Sequence, residues 1–260
     1  MRRWQSRPGR LNKRATNVLS VAALLFWLLF WLFLAKKIDL SLLLPYPQEA
    51  LKTLFRLATT SQFWLVVLAS MMRIISGFTL AVVLGILLGS LTAFFPFFRP
   101  FVALPMNIIK ATPVASFVIL ALVWLSSQSL SIFICFLMVL PLVWMNIEAG
   151  LLQVDEDLLE MARAYRFSAG KTIRTIYLPA VRPFFANAII LGFGYAWKSG
   201  VAAEVLGLTD KSIGAKLYEA KIYLETPELF AWTIVVIIIS LLAENAMSYL
   251  LRQERRRMKK

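Results

Sequence analysis

Three stretches without a charged residue constrain this chain more than any other feature of its sequence. They are residues 17–35, 74–98 and 111–147, which contain nineteen, twenty-five and thirty-seven residues. An α-helix needs about 20 apolar residues to cross a bilayer, so each stretch is long enough to span one. Charged residues make up 16% of the chain, against about 25% in a typical soluble domain. We therefore expect one integral membrane unit without a separate soluble domain.

The predicted fold is an all-α membrane protein with six transmembrane helices. Proline-rich and polar breaks separate the apolar segments and place the helices near residues 17–35, 63–93, 101–125, 129–149, 181–205 and 229–250. We interpret the first as a retained helix, because it exceeds the 7–15 apolar residues typical of a cleaved signal. Apolar residues at positions 51, 54, 55 and 58 predict a short amphipathic helix at the membrane surface. We interpret Cys135 as a packing residue, and Gly85 with Gly89 as a helix-packing pair within one subunit.

The positive charge of the chain is unevenly distributed and predicts its orientation. The net charge is +14, and basic tails at residues 1–16 and 251–260 flank the membrane segments. If both termini face the cytoplasm, the inner segments hold 18 Lys and Arg and the outer segments hold 7. This bias follows the positive-inside rule, so we do not expect the basic tails to bind nucleic acid. The same orientation places the polar segment 150–182 in the cytoplasm.

That polar segment is the longest interruption between membrane spans, and its sequence suits two short helices joined by a turn. Three acidic residues at 155–157 favour a helix start. The turn is expected at Ser168-Ala169-Gly170, with a second helix over residues 171–177 that ends at Pro179.

The segment resembles the cytoplasmic "EAA" loop of ABC-importer permeases, which docks on an ATP-hydrolysing subunit. The pattern begins at Glu160-Met161-Ala162 and closes on Ile176-Tyr177-Leu178-Pro179. Arg166 stands where the family usually has glycine, and Gly170 is expected to supply the bend instead. The resemblance implies a docking site formed by Glu160, Ala162, Arg163, Arg166, Ser168, Gly170, Ile176, Leu178 and Pro179. Segments 70–89, 112–115, 141–155 and 196–204 resemble the nitrate, sulfonate and taurine branch, so the similarity covers about residues 45–250.

This resemblance implies the fold of a type I importer permease in the bacterial inner membrane. It also implies two ATP-binding subunits that hold ATP and Mg²⁺, an external substrate-binding protein, and a second permease subunit. We expect that subunit to be another copy of this chain, although a related permease is also compatible. The chain has no phosphate-binding G-x-x-x-x-G-K-[ST] loop and no histidine, so we expect no catalysis, cofactor or metal in it. Sulfonates, nitrate, taurine, bicarbonate and a vitamin precursor all remain compatible as substrates.

Four charged residues fall within the predicted spans and are candidates for the translocation path: Arg73, Lys110, Lys198 and Glu204. A charge at the bilayer centre costs about 2.5–3.5 kcal/mol on insertion scales, so each needs a partner or a water-filled cavity. Arg73 and Lys198 either attract an anionic substrate, or they snorkel to the surface or form interhelical bonds. Lys198 and Glu204 are not expected to pair within one helix.

Two other functions are alternatives to the importer. An ion-coupled secondary transporter needs acidic or histidine relays in the membrane, and Glu204 is the one candidate in this sequence. A membrane scaffold would not require the polar loop.

Overall fold

The computed structural model describes the backbone of residues 13–257 and the side chains of residues 18–249. Within that part every regular element is helical. The helices are α1 (Lys13–Ile38), α2 (Pro47–Ala58), α3 (Ser61–Phe94), α4 (Arg99–Ala111), α5 (Val114–Ala121), α6 (Ser127–Leu152), α7 (Glu156–Ala164), α8 (Ala169–Thr172), α9 (Leu178–Leu206), α10 (Ile213–Ile222) and α11 (Thr226–Arg257). A π-helical turn (Ile173–Tyr177) joins α8 to α9.

Five helical segments of the described chain are long and apolar enough to cross a membrane: Val18–Ile38, Ser61–Phe94, Ser127–Leu152, Ala169–Leu206 and Thr226–Tyr249. Five of the six predicted spans each fall inside one of α1, α3, α6, α9 and α11. Of the predicted basic tails, residues 1–12 and 258–260 lie outside the described residues. The C-terminal tail is not a separate segment at its start, because α11 continues to Arg257.

The predicted span at 101–125 is wrong as a single continuous helix. It consists of α4 and α5. The segment Pro96–Ala111, which contains α4, is bent by 103° relative to α5 at the short break between them. Thr112 at this break is extended, with ψ of 131°, and Pro113 follows it. Proline restricts the residue before it to extended conformations and lacks an amide hydrogen, so the helix ends there. Counted as one span, this bent pair brings the candidate crossings of the described chain to six.

Helices α3, α6 and α9 form the centre of the molecule. Helix α3 packs along α6, and α6 packs along α9. The contact of α3 with α6 requires small residues, because a Cβ atom on Gly85 would lie 2.7 Å from the Val143 side chain. The glycine pair Gly85 and Gly89 thus packs helices within one chain, as predicted. The indole of Trp197 on α9 donates to the Val236 carbonyl at 3.0 Å and joins α11 to this centre.

Helices α1 and α2 lie at the edge of the bundle. The membrane-spanning window of α1 is only 6% buried, so most of its surface is left for lipid. Trp31 fastens it, since its indole donates to the Pro45 carbonyl at 3.1 Å and its ring stacks on Phe230 at 5.4 Å. The predicted amphipathic helix is present as α2, which begins at Pro47 and packs on α11.

Candidate functional site

The polar loop between α6 and α9 forms an ordered helix-turn-helix, the foot (residues 155–177). Its first helix, α7, begins at Asp155, whose carboxylate accepts a hydrogen bond from the Asp157 amide at 3.0 Å. Glu156 and Asp157 occupy the first turn, where negative charge interacts favourably with the helix dipole. The acidic run therefore starts the helix where the sequence predicted.

The bend of the foot lies at Arg166 and not, as predicted, at Gly170. Arg166 has a φ of 51°, whereas Gly170 lies inside α8 without a positive φ. The Phe167 amide donates to the Ala162 carbonyl at 2.8 Å and the Arg166 amide to the Arg163 carbonyl at 3.0 Å. These two bonds form a Schellman cap, a motif that favours glycine at the left-handed position. Arginine adopts the glycine geometry here at some conformational cost.

We expect Arg166→Gly to stabilise the end of α7. The left-handed conformation costs a non-glycine residue about 1–2 kcal/mol, and glycine loses about 0.5–1 kcal/mol through greater chain entropy. Hydrogen exchange of the α7 amides should therefore slow by about threefold, the equivalent of about 0.6 kcal/mol. Arg163→Gly is the matched control, because it places glycine inside the helix and should speed exchange by about fivefold. Slower exchange in both variants, or in neither, would contradict the cap geometry.

The second half of the foot is continuous with a membrane span. Ser168 caps α8 by accepting a hydrogen bond from the Lys171 amide at 3.4 Å. The predicted helix end at Pro179 is wrong, because residues Ala169–Leu206 form one span-length helical segment. A π turn precedes Pro179. Its backbone hydrogen bonds join residues five apart and replace the α-helical bonds between residues four apart, which proline would interrupt. The second half of the foot and the membrane span are therefore parts of one helical segment.

The predicted docking residues divide into buried anchors and an exposed surface. Ala162 and Ile176 are 3% and 6% exposed, so they hold the foot together and do not face a partner. The other predicted positions are exposed: Glu160, Arg163, Arg166, Ser168, Gly170, Leu178 and Pro179.

An apolar stripe on α7 was missed by the motif comparison. Leu158, Met161 and Tyr165 are 44%, 40% and 74% exposed, and their i, i+3, i+7 spacing puts them on one side of the helix. Their helical spacing is a signal in the sequence that predicts a shared side of α7. The motif, by contrast, is matched on α7 only by Glu160 and Ala162. Exposed apolar side chains at this spacing are typical of a helix that packs into the groove of another protein.

The four charged residues predicted for the path do not form one cluster. Arg73 and Glu204 are paired, with Arg73 Nε 3.1 Å from Glu204 Oε1, and the Glu204 side chain is fully buried. The Arg73 guanidinium also donates to Gln128 Oε1 at 3.2 Å and to the Lys211 carbonyl at 3.1 Å. Arg73 thus makes interhelical bonds, the second of its two predicted alternatives.

The same cluster holds α10 against the centre of the bundle. Glu204 Oε2 accepts a hydrogen bond from Ser70 Oγ at 2.8 Å and from the Gly214 amide at 3.4 Å. Ser70 Oγ in turn accepts one from the Ile213 amide at 2.9 Å. Ile213 and Gly214 are the first residues of α10, where a carboxylate interacts favourably with the unpaired amides and the dipole. Neither Ser70 nor Gln128 carries a sequence signal for this role.

Lys110 and Lys198 lie on a different, exposed surface, the polar face (Lys110, Met145, Asn146, Asn187, Tyr195 and Lys198). On α9 its members Asn187, Tyr195 and Lys198 lie within about 80° of one another around the helix. On α6 the adjacent residues Met145 and Asn146 contact Lys110 and Asn187, at 3.2 Å and 3.3 Å. Polar groups in the middle of apolar spans are expensive beside lipid, so this face is suited to water or a partner.

The family model described as "binding-protein-dependent transport system inner membrane component" matches residues 81–259. The taurine transport system permease protein of Escherichia coli is 24% identical over 94% of this chain and 90% of that protein. The nitrate import permease protein of Synechocystis is 26% identical over 71% of this chain and 67% of that protein. The bicarbonate transport system permease protein of Synechococcus elongatus is 24% identical over 73% and 68% of the two chains.

Among solved structures, a chain of a methionine ABC transporter in an inward-facing conformation superimposes with a TM-score of 0.60 at 17% identity. The match covers 73% of this chain and 96% of that chain. The likeness shows that the helical bundle has the fold of a type I importer permease, as the sequence predicted.

Proposed function

The chain belongs to the family of binding-protein-dependent transport system inner membrane components, and we propose how its parts serve transport. As a member, it is a multi-pass permease subunit of an ABC importer and not itself an enzyme. We infer that two copies form the pore, that each foot docks on one of two ATP-binding subunits, and that an external binding protein delivers the substrate. ATP and Mg²⁺ would be bound by the partner subunits, with no cofactor in this chain.

The exposed apolar stripe of α7 carries the docking proposal. Leu158, Met161 and Tyr165 offer the apolar contact. Arg163 on α7 and Arg166 at the bend that follows it are also exposed. Buried aromatic and arginine side chains supply most of the binding free energy in protein interfaces. Because the second half of the foot continues into α9, movement of the ATP-binding subunits would shift that helix and change the access of the pore.

The orientation of the chain follows from the same proposal. The foot must face the cytoplasm, where ATP is available, and the positive-inside bias agrees with that side. An even number of crossings then puts both termini in the cytoplasm. The Arg73–Glu204 cluster and α10 lie at the opposite, external end, near the binding protein.

The polar face is the proposed translocation path. Lys110 and Lys198 bring two positive charges to it, and Asn187 and Tyr195 add hydrogen-bonding groups. The face would be covered by the second permease copy and shielded from lipid. Its charge suits a small anion or a zwitterion with an anionic group, which is compatible with the taurine, nitrate and bicarbonate named for the relatives. Arg73 and Glu204 are assigned to holding the external end together.

The experiment that tests this function is reconstitution of the purified complex in proteoliposomes with its binding protein. Solute should accumulate only with ATP and Mg²⁺, and the complex should contain two copies of this chain by native mass spectrometry. Accumulation driven by an ion gradient without ATP would instead support a secondary transporter. Glu204, the candidate relay of that alternative, is ion-paired with Arg73, which favours the importer.

We expect Lys198→Gln to reduce kcat/KM for ATP-driven uptake of an anionic substrate by about tenfold. A hydrogen bond to a charged group contributes about 1.5–3 kcal/mol, and loss of the lower figure corresponds to this factor. Lys198→Arg should retain most of the rate, since the charge is kept. Lys216→Gln is the control, because Lys216 lies on α10 and pairs with Glu219 at 2.5 Å, away from the polar face. Equal rates for wild type and Lys198→Gln would remove Lys198 from the path.

A further inference from the structure

A large cavity lies where the foot joins the membrane bundle, and the proposed translocation path does not use it. Its volume is about 740 Å³, within the range of about 300–1,000 Å³ that is usual for ligand sites. Its walls come from α3, α6, the π turn and the first two turns of α9. Its lining includes Ser90, Arg174, Tyr177 and Phe185.

The lining has two chemically distinct parts. Isoleucine, leucine, valine and phenylalanine side chains from three transmembrane helices form an apolar part. Arg174 and Arg182 add two guanidinium groups, and Ser90 and Tyr177 add hydroxyls. Among the described residues that line the cavity there is no aspartate or glutamate, and Arg174 is exposed. Such a lining suits a ligand with an anionic head and an apolar body.

The cavity is separate from the proposed translocation path. Phe185 faces the cavity, whereas Asn187 belongs to the polar face. Two residues of an α-helix that are two positions apart point about 160° away from each other. The cavity and the path therefore lie on opposite sides of α9.

We propose that this cavity binds the headgroup of an acidic phospholipid from the inner leaflet. The guanidinium group of arginine can donate two parallel hydrogen bonds to phosphate oxygens. Basic pockets between transmembrane helices on the cytoplasmic side suit anionic lipid headgroups. The apolar walls receive the glycerol backbone and the start of the acyl chains. Assignment to the inner leaflet rests on the proposed orientation, but lipid binding by the cavity can be measured without any ATP-binding subunit.

The site would connect membrane composition to the foot. Ile173, Arg174 and Tyr177 belong to the π turn between α8 and α9, and Tyr177 also contacts Phe94 of α3 with a ring distance of 5.5 Å. A π turn inside a helix is an adjustable element that is frequent at functional sites. A lipid phosphate held there would fix the angle at which the foot leaves the bundle.

The test is native mass spectrometry of the full-length chain, purified without partners and titrated with phosphatidylglycerol or phosphatidylcholine of the same acyl chains. We expect one phosphatidylglycerol per chain to be retained about tenfold more strongly than phosphatidylcholine. Arg174→Gln should abolish this preference, whereas Lys171→Gln should keep it. Lys171 is the matched control, because it carries the same charge one turn earlier and lies outside the cavity lining.

A second variant separates cavity occupancy from surface charge. Ser90→Phe fills the cavity without altering any charge, and it should also remove the retained phosphatidylglycerol. Equal retention of the two lipids by the wild-type chain would overturn the proposal. So would equal losses in Arg174→Gln and Lys171→Gln, or full retention in Ser90→Phe with unchanged thermal stability. None of these results depends on docking or ATP hydrolysis, so their failure would leave the transport proposal intact.

Discussion

Glu204→Ala is expected to lower the melting temperature of the detergent-solubilised chain by about 10 °C. Removing one member of a buried ion pair costs about 3–5 kcal/mol, because the other charge stays buried without compensation. A change of 1 kcal/mol corresponds to about 2–4 °C in a chain of this size. The substitution leaves the Arg73 guanidinium without its carboxylate and removes the acceptor of the Ser70 hydroxyl and the Gly214 amide.

The matched control is Glu219→Ala, which breaks an ion pair of the same type on an exposed surface. The Glu219 side chain is 50% exposed, and an exposed pair contributes about 0.2–1 kcal/mol, so its melting temperature should fall by no more than about 3 °C. The double variant Arg73→Gln with Glu204→Gln should recover part of the loss, since neither side chain is then an unpaired charge. Equal melting temperatures for Glu204→Ala and Glu219→Ala would show that the buried cluster does not fasten α10.

Tyr165→Ala is expected to weaken binding of the ATP-binding subunit by about thirtyfold. Tyr165 is 74% exposed at the end of α7, where it extends the stripe formed by Leu158 and Met161. Removal of a tyrosine anchor from the centre of an interface typically costs about 2 kcal/mol, which corresponds to this factor. The measurement is the dissociation constant between the purified chain in nanodiscs and its ATP-binding subunit, with uptake measured in parallel.

Tyr223→Ala provides a control of the same chemistry. Tyr223 is 75% exposed at the end of α10, on the opposite side of the membrane in the proposed orientation. The control should bind the ATP-binding subunit with unchanged affinity. A thirtyfold loss in both variants would point to general destabilisation, and no loss in Tyr165→Ala would move the docking surface away from the stripe.

The motif predicts the position of the foot but not the role of each of its residues. The motif identifies the segment. Its two helices are predictable because the acidic residues and Ser168 are local capping signals. It could not separate Ala162 and Ile176, which are buried, from the exposed positions around them. The turn propensity of glycine predicts the bend at Gly170, whereas the Schellman hydrogen bonds place it at Arg166. The preference of glycine for a bend is overridden there, because the hydrogen bonds that end α7 put the left-handed position at Arg166.

The sequence by itself determined that this protein lies in a membrane, and it located the five apolar segments that form continuous spans. In a bilayer, a charge-free run of about 20 residues is stable only as a helix, which satisfies its backbone hydrogen bonds while its side chains face lipid or protein. Such runs therefore predict the positions of the membrane spans. The broken span at Thr112 and Pro113 depended on local chemistry as well, but its 103° bend was visible only in the structure. Only the tertiary structure decided which charges meet. Arg73 and Glu204 are 131 positions apart, and their pairing depends on how α3 and α9 pack, which no local pattern specifies.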